Sequence, residues 1–251
     1  MPDEGRILRE NILPFGPRVS ASLVPNLFDS EMSFESGRKI RPEVHGDNNF
    51  YSKNSKISLG MLPIAEAPIF MEGYRHCCEG CFLEGRDPYH EYVCANGTAQ
   101  DITTQYENTN AGIKLLENEI GELQITGLVP PNHQGDESTR DAARILNIQN
   151  YVVRNSFADY PFPIKFSLPA WHEGELNILP ESRKPGKSPL LYIMYSDIVK
   201  KGWKTYESFF EKSVSLSELE IKASAPMLSG LSEWLLYKYK KARDLKRKLK
   251  R

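Results

Sequence analysis

All four cysteines of this 251-residue chain lie between residues 77 and 94, three of them in the run "HCCEGC" at 76–81. Four thiols so close together hold a metal, pair as disulfides or pack as buried side chains, and each choice dictates how the surrounding loops fold. Cys78 and Cys81 are two residues apart, His90 follows after eight more, and Cys94 after a further three, giving C-x2-C-x8-H-x3-C. A two-residue spacer lets one tight turn present both thiolates to a single ion, and Gly80 permits the positive φ that such turns often need. A histidine and a cysteine four apart share one face of a helical turn and can close the tetrahedron from the other side. The pattern therefore predicts zinc held by Cys78, Cys81, His90 and Cys94. Cys77 and His76 are alternates, because adjacent cysteines on an extended backbone do not easily face the same ion.

Four protein ligands leave no position for water, so the predicted site is closed and structural. Nucleoside deaminase chemistry needs H-x-E ahead of P-C-x-x-C, and no H-x-E precedes Cys78. A zinc knuckle has its histidine four residues after the second cysteine, so the likeness here stops at ligand type.

The opening stretch "MPDEGRILRENILPFG" is charged, and no stretch is long and apolar enough to span a membrane. The expected compartment is intracellular and reducing, where clustered cysteines bind metal more often than they pair. With 40% hydrophobic and 26% charged residues, the composition is that of a folded globular chain. "NGT" at Asn96 reads as a turn.

Periodicity predicts an α+β fold with a mixed or antiparallel sheet and helices concentrated toward the C-terminus. The chain divides into an irregular, β-rich region at 1–96 carrying the zinc loop, an α+β core at 97–226, and a basic amphipathic helix at 227–251. "RVSASLV", "QITGLV", "NYVVRNSF", "PIKFSL" and "PLLYIMY" read as strands, the last apolar enough for the centre of the sheet, whereas "PAWHEGELN" and "LPESRKPGKSP" read as loops. Ile102, Tyr106, Thr109, Ile113, Leu116, Ile120 and Leu123 form a helical stripe that can pack on the sheet or pair copies of the chain. A second helix, near 138–148, has Asp136 or Ser138 as its cap and should bury Ala142, Ile145, Leu146 and Ile148. "SLSE" at 215–218 has capping-box spacing and predicts a helix over 216–223. The last helix carries Leu228, Leu231, Leu235, Ala242, Leu245 and Leu249 as its apolar stripe.

The net charge of −1 conceals an asymmetry: residues 238–251 hold nine Lys or Arg against one Asp, so this segment is +8 and the remainder −9. Lys238, Lys240, Lys241, Arg243, Lys246, Arg247, Lys248, Lys250 and Arg251 are candidate phosphate contacts, which predicts nucleic acid as the partner. An anionic membrane surface or an acidic protein suits the same helix. "KRKLKR" could be a nuclear address in a eukaryotic host.

Catalytic signals are sparse. His172, Glu173 and Glu175 in "PAWHEGEL" could form an acid–base group. His133 in "PPNHQGD" is isolated, and His45 with Asp47 could join a metal site if the fold converged them. "KPGKS" at 184–188 lacks the upstream glycine of a phosphate loop. The leading expectation is a non-enzymatic, zinc-stabilised nucleic-acid-binding or assembly protein. The alternatives are a self-associating, matrix-like structural protein that binds membrane or an acidic partner, and a hydrolase built on His172.

Overall fold

A computed structural model describes residues 4–23, 25, 66–74, 78, 81, 84, 90–94, 97–121, 124–160, 166–226 and 229–248. Its centre is one sheet of eight strands: β1 (Ala21–Leu23), β2 (Ile69–Met71), β3 (Ile125–Leu128), β4 (Asn150–Arg154), β5 (Ala170–Glu173), β6 (Leu176–Ser182), β7 (Leu190–Leu191) and β8 (Ile221–Lys222). The order is β1-β2-β3-β4-β6-β5-β8, with β7 pairing β6. Strands from both sides of residue 96 thus share the sheet.

The sheet is mixed but mostly parallel, and β5–β6 is the one antiparallel pair among the named strands. That corrects the antiparallel alternative. α1 (Glu4–Ile7) precedes the sheet, and further helices stand between strands: α2 (Ile102–Ile120) connects β2 to β3, and α3 (Glu137–Ile145) connects β3 to β4. Such crossovers return the chain to the same edge and so force parallel pairing. A sheet covered on both faces buries consecutive residues, and all five residues of β4 are buried. Ile69, Met71, Tyr151, Val153 and Ile178 face one core with Leu116 and Ala143. Phe70, Val152 and Leu179 face the other, beside Leu216 and Ile221.

The α2 stripe faces the core at Thr109 and Leu116, 0% and 1% exposed, while Ile102 at its start is exposed. Asp101 caps this helix by accepting from Thr104 N at 3.0 Å. Asp136 caps α3 and forms a capping box with Thr139, as its position predicts. On α3 the buried residues are Thr139, Ala142 and Ala143, while Ile145 is exposed.

Three other expectations need correction. "AWHE" is strand β5, turning through Gly174 (φ 61°) into β6, which runs through the supposed loop to Ser182. "PLLYIMY" supplies only the two-residue β7, half-buried at the side of β6. The Ser215 capping box is present but starts a single 3-10 turn, Leu216–Glu218, because Ile221 and Lys222 are drawn into pairing with β5.

α4 (Ser156–Asp159) follows β4 directly, and α5 (Tyr195–Lys201) and α6 (Glu207–Glu211) are short. The final helix, α7 (Ser229–Lys248), docks on β4 and α4. Its buried positions are Ser232 and Leu236, while Leu231 and Trp234 are exposed, so the docked face is rotated from the expected leucine stripe. A polar anchor selects it: Ser232 Oγ accepts from Ser156 N at 3.0 Å and donates to Arg154 O at 3.2 Å.

Candidate functional site

The sulfurs of Cys78, Cys81 and Cys94 lie within 4.8 Å of one another. Cys81 N donates to Cys78 Sγ at 3.4 Å, so the two-residue spacing brings these two cysteines together. Cys94 comes from a hairpin closed by the Val93–Ala99 bridge and by Gly97 N donating to Cys94 O at 2.8 Å. Gly97 has φ 89°, and a Cβ there would meet the Tyr237 hydroxyl at 3.1 Å, so α7 leans directly on this hairpin. Glu91 anchors the approach, its carboxylate accepting from Tyr74 N at 3.0 and 2.9 Å, and the Tyr92 hydroxyl bonds Thr109 Oγ1 at 2.9 Å.

Cys78 Sγ is 3.0 Å from Cys94 Sγ, and all three residues are thiols. Hydrogen bonding from Cys78 and then Cys81, with burial, holds the Cys94 thiol far above its ordinary pKa. Three thiolates cannot crowd together without a compensating cation, and a bound metal supplies that charge. The group can therefore hold a metal ion. All three donors are soft sulfurs, which exclude magnesium or calcium as the preferred ion.

His90 does not belong to this group: it is buried at 1% exposure but contributes no ligand atom within the 4.8 Å set. The alternates His76 and Cys77 lie outside the described residues, as do His45, Asp47, Lys250 and Arg251. Lys238 sits over the Trp234 ring at 5.4 Å and Lys241 over Tyr237 at 5.9 Å. Lys240, Arg243, Lys246, Arg247 and Lys248 lie on the same helix toward its C-terminal end.

His172 is exposed on β5, opposite Asn177, and Glu175 is exposed in the following turn. Glu173 is engaged elsewhere, pairing with Arg144 at 3.2 Å and Arg140 at 3.4 Å. The strand geometry does not gather these three into a pocket. The "KPGKS" segment is a turn whose Lys187 carbonyl accepts from Asn155 Nδ2 at 2.7 Å.

A buried polar cluster that the sequence hardly announces occupies the carboxyl ends of the parallel strands. His133 follows β3, Arg154 ends β4 and Glu181 lies near the end of β6. Glu181 Oε1 is 2.6 Å from His133 Nε2 and 2.9 Å from Arg154 Nη1. Arg154 also pairs with Asp159, which accepts from Ser182 Oγ at 2.9 Å. Burial, followed by the nearby Glu72 and Glu181 charges, pushes the Tyr192 phenol up to about 12. Asn132 and His133 have φ of 57° and 56°, an unusual backbone for two consecutive non-glycine residues. The asparagine in "PPNHQ" was the available hint, since asparagine tolerates this conformation better than most.

No family model matches the chain, and no curated protein matches it. Among solved structures, a 4-alpha-glucanotransferase from Thermococcus litoralis is similar, with a TM-score of 0.40 and 11% identity. The match covers 96% of this chain and 33% of that one, so the chain spans about a third of the neighbour's length. A likeness of that size defines neither a family nor an activity.

Proposed function

We propose that this is a metal-thiolate protein in which Cys78, Cys81 and Cys94 give one zinc ion three of its four ligands and leave the fourth position to another donor, and that the basic end of α7 contacts a polyanion, nucleic acid before others. The convergence of three sulfurs within 4.8 Å carries the metal half of the reading. A tetrahedral zinc with bonds of about 2.3 Å sets its sulfurs about 3.8 Å apart, inside the 4.8 Å that encloses this group. The ion ties the 78–81 turn to the 94–97 hairpin and, through Tyr237, supports the helix that bears the charge.

The polyanion half rests on the nine cationic residues in 238–251 and on the docking of α7 by its first half, which leaves the distal half to carry the charge. Elemental analysis of the purified chain should find about one zinc per molecule. A preparation that holds no metal and takes none up from zinc buffer would overturn the metal reading. Mobility shift with a random-sequence oligonucleotide addresses the second half: binding should weaken steeply with salt, and no shift at low salt would dispose of it.

A further inference from the structure

A cavity of about 100 Å³ opens beside the carboxyl-edge cluster, lined by His133, Gln134, Arg140, Tyr151, Arg154 and Glu233 among others. The carboxyl ends of parallel strands are where open α/β sheets place their ligands, because helices cover the faces and only that edge offers a polar crevice. Three neighbouring strands, β3, β4 and β6, deliver His133, Arg154 and Glu181 to this edge. The left-handed backbone at Asn132 and His133 costs conformational energy, and such strain persists where a side chain must be held in a particular place.

The lining specifies a ligand chemistry. Gln134 is 6% exposed, and its Oε1 is buried without a hydrogen-bond partner, so it calls for a donor. Arg154 is already shared by Glu181 and Asp159, and Arg140 by Glu233 and Glu173. With each guanidinium answered by two carboxylates, the cavity has no surplus positive charge with which to attract an anion. Glu181 takes His133 Nε2, so the ring donates there to a carboxylate and keeps Nδ1 as the nitrogen that accepts a proton. The volume suits a few heavy atoms, or the end of a longer molecule, rather than a whole cofactor.

We propose that this cavity is a binding site for a neutral hydroxyl-bearing group, such as the end of a polyol. Gln134 Oε1 accepts a hydrogen bond from one ligand hydroxyl, and His133 Nδ1 accepts one from a second. The hydroxyl keeps its proton and shares it with Nδ1 as a hydrogen bond, while the Glu181 carboxylate fixes the ring by accepting from Nε2.

The test is NMR on the full-length isotope-labelled protein, titrated separately with erythritol and with inorganic phosphate. Erythritol should produce saturable shifts of the His133 ring and the Gln134 side-chain amide, with Nδ1 moving from the position of a bare ring nitrogen toward that of a hydrogen-bonded one. His133→Gln should reduce erythritol affinity at least tenfold, and because the wild-type titration stands alone, a misfolded variant does not blur the result. Shifts with phosphate alone, or with neither compound, overturn the proposal.

Discussion

His133 Nε2 stands 2.6 Å from Glu181 Oε1 although 48 residues separate them in the chain. The contact joins the loop after β3 to the end of β6 across the intervening β4, whose Arg154 reaches the same carboxylate oxygen. An acid, a base and a guanidinium are thereby buried together, and each keeps the others from being an uncompensated charge.

Acid stability should report this arrangement. Burial opposes the Glu181 carboxylate, but His133 and Arg154 overcome it and hold its pKa below the ordinary glutamate value. A carboxyl depressed in the folded state stabilises at pH above its unfolded value, and that contribution is lost as pH falls through the folded one. Urea melts between pH 7 and 3 should show the loss, and Glu181→Gln should flatten that acid limb while costing about 2 kcal/mol at neutral pH. An equally steep acid limb in the variant refutes the assignment.

Zinc should stabilise the fold in step with the logarithm of its free concentration above Kd. At a free concentration of about 100 times Kd, linkage gives about 2.7 kcal/mol, which raises Tm by about 5–10 °C for a chain of this size. Cys81→Ser should abolish the zinc-dependent rise in a thermal scan. A variant that still responds fully to zinc places the ion somewhere else.

Charge removal distinguishes phosphate contacts from a solvated helix end. Replacing Lys246, Arg247 and Lys248 with Gln together should reduce the slope of log K against log salt by about 2.7 if all three touch phosphate of duplex DNA. The readout is fluorescence anisotropy with a labelled duplex. An unchanged slope removes these residues from the contact surface.

Ser232 anchors α7 through two hydrogen bonds at once. Ser232→Ala leaves the buried Ser156 N–H without that acceptor and should cost about 1–3 kcal/mol in chemical denaturation. A variant as stable as the parent means that packing at Leu236 alone holds the helix.

Local signals were legible wherever the physics is local. Asp136 stands at the start of α3 and caps it, and Cys81 N reaches back to Cys78 Sγ as their spacing allows. Trp171 misled because "AWHE" looks like a polar loop until pairing with β6 and β8 buries its first two residues. The docked face of α7 was likewise hidden, since Ser232 earns its buried place only from the distant Arg154 and Ser156. His90 shows the same limit: its spacing suits a ligand, yet where its ring points depends on a core assembled from other segments. Glu181 joins His133 only once β4 lies between them, a relation that no window of sequence contains.

The docking of α7 also sets an order of events during synthesis. Its residues 229–248 emerge from the ribosome after every strand of the sheet, yet Glu233, Leu236 and Tyr237 form one wall of the cavity and Tyr237 braces the Cys94 hairpin. A nascent chain can pair its strands early but stays open on that side until translation has passed the helix. A product stalled before the helix would therefore leave the polar edge open and the Cys94 hairpin without its Tyr237 brace.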